Sequence, residues 1–251
     1  MIKLIEKINL SGCTLIIPAV AVGNVGQLAI DLLITNTNMK KIGYVVNSCF
    51  IPILGADPYV KDSTELCTAS DVYHNDKDKI IAIQIRSPSI KGLQSFFDDL
   101  KEFIEFEKIA KVVILTSGWA HTRTDVQLRS EPLRYLSSPN IEKEFGEKFN
   151  KLNWIKLEPT KNPIDNSDCL EIPGGGFAIK LFNYFIDNQI PTVIIMKFCS
   201  EGDNVPDAVE LAIYLNKWLP CRMIDSHGKI NVKYPHSWEF LFGNPAPFEI
   251  Y

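Results

Sequence analysis

The chain has 251 residues, 46% of them hydrophobic and 22% charged, with a formal net charge of −4 at pH 7. That length can bury a substantial core and suits one large domain or two small ones. A mildly acidic chain with no Lys/Arg block lacks the basic face that a nucleic-acid binder needs.

The first ten residues, MIKLIEKINL, interleave Lys3, Glu6 and Lys7 with apolar positions and so lack the apolar core of a signal peptide. Residues 15–34 are long enough to raise a membrane span. Pro18, Asn24, Gln27, Asp31 and two glycines within them argue against it, because polar groups in lipid are costly. Residues 15–20 instead form an apolar strand, broken at Gly23-Asn24-Val25-Gly26. A helix follows, with Val25, Leu28, Ala29, Leu32 and Leu33 on one face. Residues 42–46 read as a second strand. DVYHNDKDKIIAIQI reads as a hairpin whose polar tip, 76–79, precedes a strand at 80–85. After Gly92, the positions Leu93, Phe96, Phe97, Leu100 and Ile104 mark a helix. Phe103 and Phe106 fall off its main stripe and are candidates for a partner surface as well as for the core.

A strand at 112–115 comes next, and the polar, proline-containing stretch 158–168 reads as an exposed loop. A helix starts near the glycines at 174–176 and carries Phe177, Leu181, Phe182 and Phe185. A strand occupies 192–198. The last helix has Asp203 or Asn204 as N-cap and Pro206 in its first turn, and runs to about residue 219. Near-continuous apolar strands alternating with helices predict one α/β/α sandwich with a mostly parallel, mixed sheet, spanning residues 1–240.

The glycine turn is the first place to look for chemistry. A dinucleotide fingerprint needs G-x-G-x-x-G and an acidic residue at the end of the second strand, whereas here Gly23 and Gly26 stand alone and GYVVNSCF ends without Asp or Glu. A phosphate loop would need Lys after its last glycine, where Gln27 stands. A structural corner with close helix–sheet packing is the expectation. Two later loops hold catalytic residue types: TSGWAHTRTD offers Ser117, His121, Arg123 and Asp125, and CSEGDN offers Ser200, Glu201 and Asp203. EIPGGG could hold an anion at a helix N-terminus. A hydrolase could be assembled from His121 as base with Glu201 or Asp203. Against it, Ser117 is in no G-x-S-x-G elbow, and His121 and Asp125 have the four-residue spacing of a helical side-chain pair. No catalytic set, cofactor or metal is expected. Cys13, Cys49, Cys67, Cys169, Cys199 and Cys221 form no CxxC pair, so they read as reduced, mostly buried thiols of a cytosolic protein.

Ordered blocks then narrow the function: PAVAVGNVGQLAIDLLI, KIGYVVNSCFIPILGADPY, STELCTASDVY, DVQLRSEPLRYL, IPGGG, KFCSEGDNVPDAVELAIYLNKWL and PHSWEFLFG. Through them the chain resembles the proteasome assembly chaperone 2 family nearly end to end. The resemblance implies a phosphorylase/hydrolase-like α/β/α fold used as a scaffold without catalysis. It implies pairing with proteasome assembly chaperone 1, the heterodimer capping the outer face of the 20S proteasome α-ring. There it promotes ring formation and blocks premature dimerisation or activator docking. The compartment implied is the cytoplasm, with the nucleus as a second, and neither membrane nor nucleic acid is a partner. The competing function is a small-molecule phosphorylase or hydrolase of nucleoside-like substrates.

Residues 241–251 are expected to form an extended tail, because Pro245 and Pro247 disfavour helix. Its apolar Phe248, Ile250 and Tyr251 are the candidate contacts to the α-ring, since the family's hydrophobic–Tyr–any-residue ends enter pockets between α subunits. Here Tyr251 is last and Ile250 precedes it, which shifts the carboxylate toward the tyrosine by one residue, about 3.3–3.6 Å of chain.

Overall fold

The sheet at the centre of the molecule follows from the apolar runs. In a computed structural model that describes residues 1–161, 167–219, 223 and 230–239, eight strands form one mixed sheet. They are β1 (Ile2–Leu4), β2 (Thr14–Pro18), β3 (Lys40–Val45), β6 (Ser70–Asn75), β7 (Ile80–Ile85), β8 (Lys111–Trp119), β9 (Leu133–Ser137) and β12 (Thr192–Cys199). Their order is β1-β3-β6-β7-β2-β8-β12-β9. The four central strands β7, β2, β8 and β12 run parallel. The flanking pairs β1–β3, β3–β6, β6–β7 and β12–β9 are antiparallel. β2, β7 and β12 are buried at every position, which is why their sequences show no alternation.

Helices cover both faces. On one, α2 (Leu93–Phe106) and α5 (Ala178–Asp187) bring Phe96, Leu100, Leu181 and Phe185 onto Leu15, Ile17, Ile83, Ile114 and Ile194. On the other, α1 (Val25–Thr37), α4 (Pro139–Lys151) and α6 (Val205–Asn216) pack Ala29, Leu33, Phe149 and Leu211 against Ile16, Val113, Leu115 and Ile195. The architecture is the expected α/β/α sandwich, and the hairpin at 70–85 is present as β6–β7. No helix among the described residues is long and apolar enough to cross a membrane.

Several elements differ from the sequence expectation. α6 ends at Asn216, not at 219, and Asn204 stands at its N-cap without bonding a helix N–H. The Asn204 side chain turns back to Ser200 O (2.8 Å) and to Asp207 (3.0 Å) instead. The stretch 158–168 is not all loop: β10 (Thr160–Lys161) pairs with β11 (Asp168–Cys169). β1, β9 and α4 have no counterpart among the elements expected from the sequence. α4 starts with Ser138 as N-cap, its hydroxyl accepting from Ile141 N, and Pro139 in the first turn. A further hairpin of β4 (Leu54–Ala56) and β5 (Leu66–Thr68) also appears, in the β3–β6 connection.

Candidate partner-binding surface

The corner that resembles a nucleotide loop is filled by the protein itself. Gly23 has φ +65°, and a Cβ there would lie 2.5 Å from Asn204 Oδ1. Gly26 sits in the first turn of α1, where a Cβ would lie 2.5 Å from the Leu115 carbonyl oxygen. Hydrogen bonds close what space is left. Ser117 Oγ donates to Val22 O at 2.5 Å, Val22 N donates to Gly174 O at 2.9 Å, and Thr116 Oγ1 donates to Gly175 O at 3.0 Å. Cys199 Sγ also points at Val22 O, 3.6 Å away. Burial, reinforced by Asp207, pushes the Cys199 thiol up to about 11, so it is protonated at neutral pH and is no nucleophile. The corner expected from the sequence is therefore structural, and its polar atoms are spent on one another.

The candidate catalytic residues do not converge. Ser117 lies inside β8, fully buried, and not in the loop beyond it. His121 is exposed on a single 3₁₀ turn, Ala120–Thr122, its ring 5.4 Å from that of Trp119. Asp125 begins a separate short helix, α3 (Asp125–Leu128), so the four-residue spacing of His121 and Asp125 is not a helical pair. The chain between them is extended at Arg123, whose guanidinium bonds Ser130 O at 2.8 Å and Gln127 O. Ser200, Glu201 and Asp203 are exposed, and Asp203 Oδ1 accepts from Val205 N at 3.0 Å. The glycines at 174–176 form a crowded turn, with φ +82° at Gly174 and +60° at Gly176. A Cβ on Gly176 would collide with Val20 O. Among the described residues no group of three or more His, Cys, Asp or Glu could hold a metal.

Unsatisfied surface lies elsewhere, on the β4–β5 hairpin. Leu54 opposes Thr68, Gly55 opposes Cys67 and Ala56 opposes Leu66. Directly opposed residues share a face and neighbours alternate, so Leu54, Ala56 and Leu66 point one way and Cys67 the other. Cys67 is the buried side. Leu54 is 73% exposed and Leu66 57%. A surface hairpin ordinarily turns polar residues outward, and here the outward face carries two leucines. Among the described residues β4 pairs with no strand but β5, so its outer edge is also free. Ile51, Ile53 and Val60 in the same connection, and Ile90 beside it, are exposed as well. Ile90 joins the connection through its N–H to Cys49 O at 2.8 Å, beside a bridge between Phe50 and Ser89. A groove of about 370 Å³ bounded by Met39, Tyr59, Val60, Leu66 and Tyr73 runs beside the hairpin.

The hairpin is held by buried charge. Asp31 Oδ1, on α1, accepts from Tyr59 OH (2.6 Å), Gln84 Nε2 (2.6 Å) and Arg86 Nη2 (2.9 Å). Arg86 also donates to Tyr59 OH at 2.7 Å and lies over its ring. Burial works against the Arg86 charge, but Asp31 together with Tyr59 and Tyr73 outweighs it and keeps the guanidinium protonated. Burial, with Asp31 adjacent, raises the Tyr59 hydroxyl well above its ordinary value, so it remains a donor. Tyr59 thus fixes the strand-to-loop exit of β4 to helix α1.

Of the two phenylalanines set aside from the α2 stripe, Phe103 is core and Phe106 is 81% exposed. Phe106 stands between two shallow grooves, one including Asp98, Glu105 and Tyr184 and the other Met1, Leu4 and Glu102. The hairpin had no sequence signal of its own, because exposure of Leu54 and Leu66 depends on which face of a three-residue strand turns outward. Phe248, Ile250 and Tyr251 lie outside the described residues, as does Cys221.

The model of the PAC2 family matches residues 15–219. The chain is similar to proteasome assembly chaperone 2 of Bos taurus, 43% identical over 252 residues, and of Homo sapiens, 40% identical over 250. Each alignment covers 95% of both chains. Its fold is similar to that of Pyrococcus furiosus PbaA, described as an archaeal homolog of proteasome-assembly chaperone. The TM-score is 0.61 at 14% identity, covering 86% of this chain and 85% of that one. With a match from the second strand of the sheet to the end of its last flanking helix, the chain belongs to the PAC2 family.

Proposed function

We propose that this protein is a non-catalytic chaperone for assembly of the 20S proteasome, working as a heterodimer with proteasome assembly chaperone 1. The pair would promote α-ring formation and prevent off-pathway association of α subunits. The observation that carries this is the 40–43% identity to named assembly chaperones over 95% of the chain. The outward apolar face of the β4–β5 hairpin supports pairing, since a contiguous exposed apolar patch with a free strand edge is what a partner surface looks like before its partner arrives. Residues 1–240 supply the folded body in this reading, and Phe248, Ile250 and Tyr251 on segment 241–251 contact the α-ring. The test is co-expression with proteasome assembly chaperone 1. Wild type should elute as a heterodimer burying more than about 1,000 Å², whereas Leu54→Asp with Leu66→Asp should elute apart from the partner while keeping its melting temperature. Intact pairing of the double variant would remove the hairpin from the interface, and failure of the wild type to pair would refute the heterodimer.

A further inference from the structure

The two ends of the central sheet are finished differently. At β9 the outer edge is taken up, since Tyr135 N donates to Ile155 O at 3.0 Å and Leu157 N donates to Tyr135 O at 2.8 Å. β1, at the other end, pairs only with β3 among the described residues. Met1 and Val46 exchange backbone hydrogen bonds at 3.0 Å, Ile5 N donates to Ile42 O at 2.8 Å, and the register sets Lys3 opposite Tyr44. Bonded residues alternate along an antiparallel strand, so Met1, Lys3 and Ile5 turn their backbone groups to β3, and Ile2 and Leu4 turn theirs to the open edge. The side chains of Ile2 and Leu4 pack on the core that α2 covers, while Met1, Lys3 and Ile5 are exposed. Beside this edge, Ile2, Leu4, Phe103 and the exposed Phe106 line a groove of about 310 Å³ that also includes Asp99, Glu102 and Glu107. Asp99 is occupied by the Met1 ammonium and by Asn47 Nδ2 at 2.7 Å. Glu102 is exposed and Glu107 half-buried, and neither forms an ion pair among the described residues.

We propose that β1 is a docking edge for an antiparallel strand of a protein partner, one that turns apolar and basic side chains to the α2 groove and an acidic side chain to Lys3. Ile2 and Leu4 each offer one N–H and one C=O, and an antiparallel strand uses all of them in a ladder slightly stronger per residue than a parallel one. Incoming residues opposite Ile2 and Leu4 share their face of the sheet, so their side chains lie over Phe103 and Phe106. The flanking residues on that face reach toward Glu102 and Glu107, where only a cation is matched. The residue between the bonded pair opposes Lys3 on the other face. A second copy of this chain is the poorer occupant. In the register that uses every open group of both edges, Lys3 meets its own counterpart across the two-fold axis. The same axis sets the two α2 helices side by side, with Glu102, Glu105 and Glu107 of each copy near those of the other. Like charges placed opposite one another destabilise a strand pair, and a partner of complementary charge removes both penalties. The inference does not rest on the heterodimer proposed above.

The probe is a fluorescein-labelled peptide, Arg-Thr-Leu-Glu-Leu-Thr-Arg, titrated with the full chain and read by anisotropy. Its leucines are to lie opposite Ile2 and Leu4, and its glutamate opposite Lys3. Three relatives are titrated beside it: one with every charge reversed, one N-methylated at both leucines, and one N-methylated at the glutamate. Methylation at leucine removes the N–H groups aimed at β1, whereas methylation at glutamate removes one aimed away from it. The expected result is saturable binding of the parent and the glutamate-methylated peptide below about 1 mM, with the other two at least about tenfold weaker. Amide exchange at Leu4 should slow at least about tenfold at saturation, with Ile81 in β7 as an unchanged reference. Glu102→Lys with Glu107→Lys, both outside the core, should invert the preference between the parent and the charge-reversed peptide. A leucine-methylated peptide that binds as tightly as the parent overturns the edge pairing and leaves only charge attraction. An unchanged preference in the double variant overturns the assigned chemistry of the partner. Absence of binding by any of the peptides, or unchanged exchange at Leu4, overturns the docking edge. Protection of Leu4 that rises with protein concentration in the absence of peptide makes a second copy the occupant and overturns the choice of partner.

Discussion

Gly26 and Gly146 both lie inside helices, and the same substitution should act on them with opposite sign. In an open helix, Gly→Ala gains about 0.5–1 kcal/mol by restricting the unfolded chain. At Gly26 the new Cβ meets Leu115 O at 2.5 Å and its carbonyl carbon at 3.0 Å, against ordinary contacts beginning near 3.4 Å. Helix α1 or strand β8 must therefore retreat by about 0.9 Å. Overpacking of a close-packed interior costs about 1–3 kcal/mol. The same carbonyl accepts from Ala19 N at 2.8 Å, tying β2 to β8, and straining that bond costs about 1 kcal/mol more. The propensity gain roughly offsets the hydrogen-bond term, leaving a net loss of about 1–3 kcal/mol. For a chain of this size that lowers the melting temperature by about 2–4 °C per kcal/mol. At Gly146 the nearest atom is Glu142 Oε1 at 3.0 Å, the end of a side chain held by Lys156 and Ser137 that need shift only a few tenths of an ångström, so Gly146→Ala should raise the melting temperature by about 1–2 °C. Thermal and urea unfolding of the two variants, side by side, checks both. A Gly26→Ala protein as stable as wild type would mean that α1 does not need its close approach to β8, and the structural account of the corner would fail.

Gly23→Val should lower stability by about 1–3 kcal/mol, since its φ of +65° disfavours any β-branched residue and Asn204 occupies the space. Added nucleotides or nicotinamide cofactors should leave the melting temperature of wild type unchanged, and a reproducible rise with any of them would show that the corner opens. The Glu158 carboxyl is pushed up by partial burial, but hydrogen bonds from the fully buried Arg134 and from Gln127 hold it below its ordinary value. A carboxylate lowered in the folded state contributes stability that is complete above its unfolded value, near 4.3, and is lost as pH falls through the folded value. Glu158→Gln should therefore be less stable than wild type at pH 7, with the gap closing below about pH 4. A gap that urea titrations find equal at both pH values would remove the charge from the explanation.

What the sequence disclosed follows the range of the forces involved. Strands β7 and β12 were legible because burial on both faces leaves an unbroken apolar run. Helices α2 and α5 were legible because their aromatic residues recur at the helical period. Strand β9 was not, since LRYLS carries Arg134, which reads as a surface break. Only the structure shows Arg134 fully enclosed, paired with Glu158 from a distant loop. Helix α4 did carry signals, Ser138 as cap and Ile141, Phe145 and Phe149 four apart, but its polar composition and Gly146 masked them. At the candidate sites, the GNVG turn was correctly a corner, because a missing lysine and a missing acidic residue are local facts. Ser117 was misplaced into a loop, since nothing local says that β8 continues to Trp119. The outward turn of Leu54 and Leu66 depends on residues far apart in sequence and had no local signature.

The location of unsatisfied groups explains why this α/β sheet reads as a scaffold. In such sheets chemistry is ordinarily done beyond the carboxyl ends of the parallel strands, where loops leave a cleft. Here Val22 O takes the Ser117 hydroxyl, Gly175 O takes the Thr116 hydroxyl, and a glycine at 176 lets the turn close onto Val20. Filling the cleft removes the space for a substrate and spends the polar atoms that would act on one. Exposed apolar groups cluster instead on the 46–69 connection, where Ile51, Ile53, Leu54, Val60 and Leu66 all face solvent. Fully burying a leucine side chain is worth about 1.5–3 kcal/mol. Leu54 and Leu66, more than half exposed, together offer roughly 2–4 kcal/mol to a partner, a factor of about 30 to 800 in dissociation constant. That contribution is available only if the hairpin is already in place, because ordering it on binding would cost about 1–2 kcal/mol per residue fixed. The bonds of Tyr59 to Asp31 and Arg86 meet that requirement, since they tie the chain just after β4 to the helix that begins at the filled corner and to the end of β7. The same helix that closes the cleft thereby holds the interaction surface ready.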